Sequence, residues 1–367
     1  MSAFAATALA DRPRSVVCIV GELPPPTGGM AVQAERLGGC LRSERHEVRH
    51  VPTNALRRQS PLRRVKGLRG VFNLALFLGL LVARMPGARV VHIFSNSYLS
   101  FWLFTVPAVL LGRLLGKRVV IHYHGGAADA FLQRQRMLVL PVLKAAHALL
   151  VPSSFLVEVF RRHGLVADEL PNIMPLERFA FRLRERLVPR VLMARHLQPV
   201  YNPACGIQAF AQLAGTHPEA RLTVAGDGPE RARLDRLCAE LGIADRVRFT
   251  GNVDNERMRA ELQSHDLLLN SSRVDNQPVS LLEAFACGLP VVSTAVGGIP
   301  HMADDGREAL LAPDDDPQAL AEQMRRLVDD PALARRIVEA AHERVQAHDW
   351  SRIYPRLLQA YREEVPA

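Results

Sequence analysis

Short apolar stretches rich in Val, Ile and Leu recur along the chain, separated by segments long enough to hold a helix. In the first half they read SVVCIV (15–20), HEVRHV (46–51), ARVVHIF (88–94), KRVVIHY (117–123) and HALLV (147–151). In the second half they read RVLMA (190–194), ARLTVAG (220–226), DRVRFTG (245–251), HDLLLN (265–270), LPVVST (289–294) and EALLA (308–312). Nearly continuous apolar runs of this length, alternating with helical segments, predict parallel strands covered on both faces. The chain is therefore expected to be α/β, with two doubly wound sheets made by right-handed crossovers. Between the halves, LPNIMPLERFAFRLRERLVPR (170–190) crowds prolines and charges without a strand or helix period, as a domain seam does. Ligands of such sheets sit beyond the carboxyl ends of the strands, so two such domains are expected to face a cleft.

Two apolar segments break the pattern. VFNLALFLGLLVA (71–83) is apolar on every face, and FWLFTVPAVLLGRLL (101–115) is interrupted by Pro107 and Arg113. The first has thirteen residues, fewer than the roughly 20 that span a bilayer. One reading is a pair of buried helices in an α/β core. The other is a helix seated partly in an anionic membrane surface. Arg57, Arg58, Arg63, Arg64, Lys66 and Arg69 precede the first segment with no acid among them, which would guide such seating.

Composition narrows the partners. The chain has 367 residues, 48% of them hydrophobic, and a formal net charge of +9. That length suits two domains, and the charge favours an anionic partner. The basic residues are not interleaved with aromatics, so nucleic acid is not expected. Five cysteines stand singly, without Cys-x-x-Cys, which fits a reducing compartment. The start has no positive region ahead of its short apolar stretch, so the reading is cytoplasmic, with possible seating on the inner membrane face.

The candidate chemistry lies in the turns after strands. In VDNQPVSLLEAFACGLPVV (274–292), Ser280 and Glu283 form a Ser-x-x-Glu capping pattern, and Gly288 and Pro290 suit a helix end. Glu283 then either caps its helix or accepts hydrogen bonds from ribose hydroxyls beside a diphosphate at the helix N-terminus. Asp275, in the loop before, would face the group carried by that diphosphate. Gly297 and Gly298 admit close backbone approach, to a ligand or in a tight turn. Gly28 and Gly29 follow the first strand, but the pattern is not Gly-x-Gly-x-x-Gly, so a nicotinamide cofactor is not implied. AGDGPER (225–231), containing Gly226, also joins strand to helix, and its Asp227-Gly228-Pro229 reads equally as turn chemistry. Arg195 follows a strand, where its fork suits a phosphate. His124 follows another. Asp316-Pro317 reads as the start of a helix, and no cluster has metal spacing, so no metal is expected.

Taken together these residues resemble the retaining nucleotide-sugar glycosyltransferases of family four, which have the GT-B architecture. The resemblance is carried by VAGDGPERARL, VRFTGNV and DNQPVSLLEAFACGLPVVSTAVGGIP, and more loosely by PPPTGGMAVQAERL, IHYHGG, VPSSFLVEVF and LPNI. It implies two Rossmann-like domains: an acceptor domain over 1–182, a nucleotide-sugar domain over 183–348, and a C-terminal helix (349–367) returning to the first. It also implies transfer of a sugar from a nucleotide-diphosphate sugar, most commonly a UDP-sugar, to a hydroxyl acceptor, with no metal or other cofactor. A lipid-linked or surface-polysaccharide intermediate would suit the basic and apolar segments.

By the same resemblance the family's acid pair falls on Asp275, toward the donor sugar, and Glu283, on the ribose. Gln277, Pro278, Val279 and Ser280 would line the sugar and diphosphate, with Asn252 and Gly226 nearby, and Arg195 would hold the diphosphate. His124 and the glycines Gly28 and Gly29 complete the set. The chain departs from the family in three places. Asp275 is one methylene shorter than Glu, Tyr201 and Asn202 stand where a Lys is usual, and His301 replaces a Glu. A sugar-nucleotide epimerase of the same architecture and a hinge-type sugar-binding protein are the alternatives.

Overall fold

The structure, a computed structural model, describes residues 15–24, 29–55 and 69–362. It divides into two compact units. One runs to Ile173 and takes up the segment from Trp350 onward; the other is Met174–Asp349. The division falls earlier than residue 182 because Met174 and Phe179 are already buried in the second unit's core.

In the first unit, strands β1 (Val16–Gly21), β2 (Glu47–Pro52), β3 (Val90–Ser95), β4 (Arg118–Tyr123), β5 (Ala148–Val151) and β6 (Asp168–Glu169) form one sheet. Its order is β2-β1-β3-β4-β5-β6, and every pairing is parallel. Alternate residues serve opposite faces: Cys18 and Val20 enter one core, Val17 and Ile19 the other. This two-sided burial is why the strands read as unbroken apolar runs. Helices α1 (Gly29–Ser43), α2 (Arg69–Arg84), α3 (Val106–Leu114), α4 (Ala128–Ala145) and α5 (Ser154–Arg162) cover the sheet. The C-terminal helix, Trp350–Tyr361, buries Ile353, Tyr354, Leu357, Leu358 and Tyr361 against Val17 and Ile19.

The reading of residues 71–83 as a wholly buried helix does not hold. Helix α2 buries Phe77 and Leu81, yet Val71 and Val82 are each 62% exposed, and Phe72, Leu76 and Leu78 are exposed too. Its buried positions recur every fourth residue, so only one stripe can reach the core. In α3, Ala108 and Val109 are buried while Leu110 and Leu114 are exposed. Arg57, Arg58, Arg63, Arg64 and Lys66 lie outside the described residues. Among the described residues no helix is long and apolar enough to cross a membrane.

The second unit contains β7 (Arg190–Met193), β8 (Arg221–Ala225), β9 (Val247–Gly251), β10 (Leu267–Asn270), β11 (Val291–Thr294) and β12 (Leu310–Ala312). The sheet is parallel, ordered β12-β11-β10-β7-β8-β9. Helices α6 (Pro203–Thr216), α7 (Arg231–Glu240), α8 (Asn255–Ser264), α9 (Val279–Cys287), α10 (Ile299–Met302), α11 (Pro317–Asp329) and α12 (Pro331–Val345) flank it. The chain winds outward from β7 through β8 to β9, then crosses back to β10 on its other side. The gap between the carboxyl ends of β7 and β10 is therefore the topological switch point. The charged seam has a structural role here. Buried Arg184 lies 3.3 Å from buried Asp266 and donates to the carbonyl of Gly288 at 2.8 Å, tying the entering segment to the end of α9.

A chain of imidazoles runs through the first core. The Tyr361 hydroxyl bonds His92 Nδ1 at 3.0 Å, and His92 Nε2 lies 3.3 Å from His122 Nδ1. The His122 and His124 rings follow with centroids 4.2 Å apart. Burial pushes His92 and His124 down to about 3, and His122 well below its usual value. The folded unit thus holds these rings neutral, whereas the unfolded chain takes up protons below about pH 6.5. Stability from this source is complete above that pH and is lost as pH falls toward about 3. Between pH 6.5 and 5, where ordinary carboxylates remain largely ionised, the urea midpoint of the first unit should fall. Both tryptophans, Trp102 and Trp350, lie in this unit, so fluorescence reads it directly. A flat midpoint over that window would contradict neutral burial.

Candidate functional site

Arg195 leaves the carboxyl end of β7, one side of the switch point. Its backbone is held from behind by the turn after β8: a Cβ on Gly226 would run into the Arg195 carbonyl, and one on Gly228 into that of Leu197. Leu197 N donates to Asp227 O at 3.1 Å, and Glu230 N to Leu197 O at 3.1 Å. The glycines of AGDGPER therefore serve close backbone approach between two strand-end loops.

Asp275 leaves the carboxyl end of β10 on the other side. Gly298 N donates to Asp275 O at 2.8 Å, and side chains at Gly297 or Gly298 would strike the carbonyls of Asp275 and Asn276. Gly297 also has φ +54°, a left-handed conformation that a side chain would strain. Beneath this loop is a buried polar network. Asn270 Nδ2 donates to Ser293 Oγ at 2.9 Å, Ser272 Oγ to Asn270 Oδ1 at 2.8 Å, and Thr294 Oγ1 to Ser272 O at 2.6 Å. Sequence reasoning missed these residues. Their signal was the polar end of otherwise apolar strand segments, HDLLLNSS and LPVVST.

The two loops meet through their side chains. The Arg195 guanidinium pairs directly with the Asp275 carboxylate, at side-chain exposures of 24% and 10%. Its carbon lies 4.6 Å from the centroid of the Tyr201 ring. Burial lowers the Arg195 pKa from its usual value, against which Tyr201 acts. Tyr201, where a Lys is usual in the resembled family, thus supports the arginine from below rather than adding a second cation. Next to it, Asn202 adopts φ +44° and donates through Nδ2 to Asp315 at 2.8 Å, a carboxylate shared with Arg273 at 2.9 Å.

Helix α9 starts at Val279 after Pro278, whose own side chain makes no capping bond. Ser280 is therefore inside the first turn, and the capping-box reading of Ser280 and Glu283 is corrected: Glu283 sits in the second turn, half-buried. A helix start four residues after Asp275, the partner of Arg195, offers backbone N–H groups and positive dipole to an anion. The other end follows expectation: Gly288 takes φ +67° and Leu289 N returns to Ala284 O at 2.9 Å.

The switch point brings Arg195, Asp275, Gln277, Pro278, Val279 and Ser280 to one side of the sheet, with Glu283 one turn further along α9 and Gly226 behind Arg195. Asn252 is exposed after the edge strand β9. Asp316 caps α11, accepting from Ala319 N at 2.9 Å. Among the described residues no group of three or more His, Cys, Asp or Glu could hold a metal. In the first unit His124 follows β4 with its ring stacked on Phe94 at 5.3 Å and its Nε2 buried without a partner. Gly29 opens α1 with open space where a Cβ would lie, and Gly28 is outside the described residues. A larger cavity, about 710 Å³, lies around Arg118, His147, Asp168 and Arg356 at the amino end of the first sheet's strands. Strand geometry favours the carboxyl-end site over it, because helix starts and strand-end loops converge only there.

Residues 179–344 match the family described as Glycosyl transferases group 1. The D-inositol 3-phosphate glycosyltransferase of Streptomyces avermitilis is 32% identical over 198 residues, 50% of this chain and 42% of that protein. The chain spans between 18% and 54% of the length of the curated relatives it matches. Among solved structures, sucrose-phosphate synthase from Thermosynechococcus elongatus has TM-score 0.77 at 22% identity, covering 95% of this chain and 98% of that one. Anabaena HepE in complex with UDP-glucose has TM-score 0.73 at 16% identity, covering 94% and 98%. The chain has the two-sheet α/β fold of GT-B glycosyltransferase structures, and its second unit is similar to the glycosyl transferases of group 1.

Proposed function

We propose that the protein transfers a sugar from a nucleotide-diphosphate sugar to a hydroxyl acceptor with retention of configuration. The observation that carries this reading is the pairing of Arg195 with Asp275 at the second switch point, followed four residues later by the start of α9, which together suit an anion. The diphosphate takes that seat and draws Arg195 away from Asp275. Glu283 accepts from the ribose hydroxyls, and Asp275, released, turns to the sugar. Backbone N–H groups from Gln277 to Ser280 complete the cradle. As the glycosidic bond breaks, charge builds on the diphosphate, where Arg195 and the helix dipole stabilise it without reorganisation. The acceptor hydroxyl attacks from the same face and passes its proton to the leaving phosphate oxygen. His124, held neutral by burial, orients groups by hydrogen bonding and does not serve as a base.

A UDP-, GDP- and ADP-sugar panel tests this by thermal shift, since a ligand bound only by the folded chain raises Tm. With the stabilising donor, slow release of nucleoside diphosphate to water is expected. Glu283→Ala should lower kcat/KM about 100-fold, equivalent to about 2.7 kcal/mol. A new nucleotide sugar formed without diphosphate release would instead indicate an epimerase, and binding without conversion a sugar-binding protein.

The acceptor is proposed to be lipid-linked, an intermediate of surface-polysaccharide assembly met at the inner membrane face. The outward apolar face of α2, together with the arginine-rich sequence before it, supports that reading. Sedimentation with phosphatidylglycerol vesicles at low salt should retain the protein, and Leu76→Glu with Val82→Glu should weaken retention about tenfold. Equal retention by the variant, or none by the wild type, would remove the membrane part.

A further inference from the structure

The cavity of about 710 Å³ at the amino end of the first sheet collects cations. Arg118 opens β4, His147 immediately precedes β5, and Arg356 belongs to the C-terminal helix. All three line the cavity, with Lys144 from the last turn of α4. Arg113, in the last turn of α3, touches His147, and Arg362 follows the C-terminal helix. Two acids, Asp168 and Glu169, also line the cavity. Among the described residues, however, none of Arg113, Arg118, Lys144, Arg356 or Arg362 pairs with a carboxylate.

The contact between His147 and Arg113 sets donor against donor. His147 Nδ1 accepts from Val119 N at 3.0 Å, so the neutral ring carries its proton on Nε2. That Nε2 lies 2.6 Å from Arg113 Nη1, a nitrogen that can only donate. A second proton on the ring would not relieve the conflict, because it would oppose Val119 N–H as well. Burial, then Arg113, Arg118 and Arg362, hold the His147 pKa below its ordinary value, which keeps the ring neutral. Arg118 donates only through Nε to a described residue, at 2.7 Å to the Ala360 carbonyl, and burial followed by Arg362 lowers its pKa too. Donors from α3, the start of β4 and the turn before β5 therefore converge, and the described residues supply no acceptor between them.

We infer that this cavity binds a phosphate ester with an apolar body. An oxygen between Arg113 and His147 accepts from both and turns opposed donors into a clamp, while Arg118 serves a second oxygen. Donors on three separate elements suit a tetrahedral group with three terminal oxygens better than a planar carboxylate with two. The wall beyond them is partly apolar, through Leu143, Leu165 and Val166, the last 90% exposed. An apolar substituent on the phosphate covers these side chains. Arg195 and Asp275 belong to the other unit, so this site is independent of the diphosphate proposed there.

Calorimetric titration of the full chain with phenyl phosphate, inorganic phosphate and phenol as separate probes tests this. Phenyl phosphate should bind about fivefold tighter than inorganic phosphate, and phenol should give no saturable heat. Arg113→Ala, at an exposed position, should weaken phenyl phosphate binding about fivefold or more while Tm moves little. Lys117→Ala removes a neighbouring charge outside the cavity and should leave binding unchanged, as should Arg195→Ala. Phosphatidic acid vesicles distinguish the source of the ester. Vesicle retention that is lost in Arg113→Ala assigns a lipid headgroup, and solution binding without Arg113-dependent retention assigns a soluble ester. The site is overturned by no saturable phenyl phosphate binding, by equal binding in Arg113→Ala, or by loss in Lys117→Ala or Arg195→Ala. Equal affinity for inorganic phosphate or for phenol would overturn it too.

Discussion

The carboxyl-end loops of the second unit are organised around one partly shielded charge, the guanidinium of Arg195. A cation held away from water in this way is favoured beside an anion, and the folded chain supplies Asp275 from across the switch point. Everything nearby serves that meeting. Gly226 and Gly228 let the turn after β8 press against the backbone of Arg195 and Leu197, while Gly297 and Gly298 let the turn after β11 press against that of Asp275 and Asn276. The Tyr201 ring supports the guanidinium on a further side. Four glycines and an aromatic ring thus set the distance between two charges. A ligand that takes the arginine must offer an anion at least as good as the aspartate, and the adjacent helix start favours a diphosphate.

The first unit uses the same topology with different chemistry. The imidazoles in its core are held neutral by burial.

Much of this was legible in the sequence, for definable reasons. Strands buried on both faces leave unbroken Val, Ile and Leu runs, so β1 and β7 were readable with their neighbours. Strand β6 was not, because Asp168 and Glu169 pair through backbone alone and carry no apolar signal. The segment 71–83 read as apolar all round, and periodicity cannot separate a buried stripe from an exposed apolar one when both faces carry Leu and Val. The Ser280–Glu283 spacing looked like a capping box, but the helix starts at Val279, so the pattern falls past the cap position. Arg195 and Asp275 were identifiable as members of one motif set, yet their direct contact was not, since it depends on loops brought together by the crossover to β10. Tyr201 was visible only as a departure from a family pattern; that its ring supports Arg195 follows from the short turn Pro199–Tyr201 and the left-handed Asn202.

The central claim is that Asp275 occupies, in the unliganded chain, the charge that a diphosphate needs. Calorimetric titration of UDP, GDP and ADP into wild type, Asp275→Asn, Arg195→Ala and the double variant tests it most directly. The account predicts that Asp275→Asn binds the preferred nucleotide about five- to tenfold tighter, close to 1.4 kcal/mol at the upper end. Arg195→Ala should bind more weakly, and in its background the Asp275→Asn gain should vanish, because the two residues act through one contact. Unchanged or weaker binding by Asp275→Asn, or a gain that persists without Arg195, would contradict it.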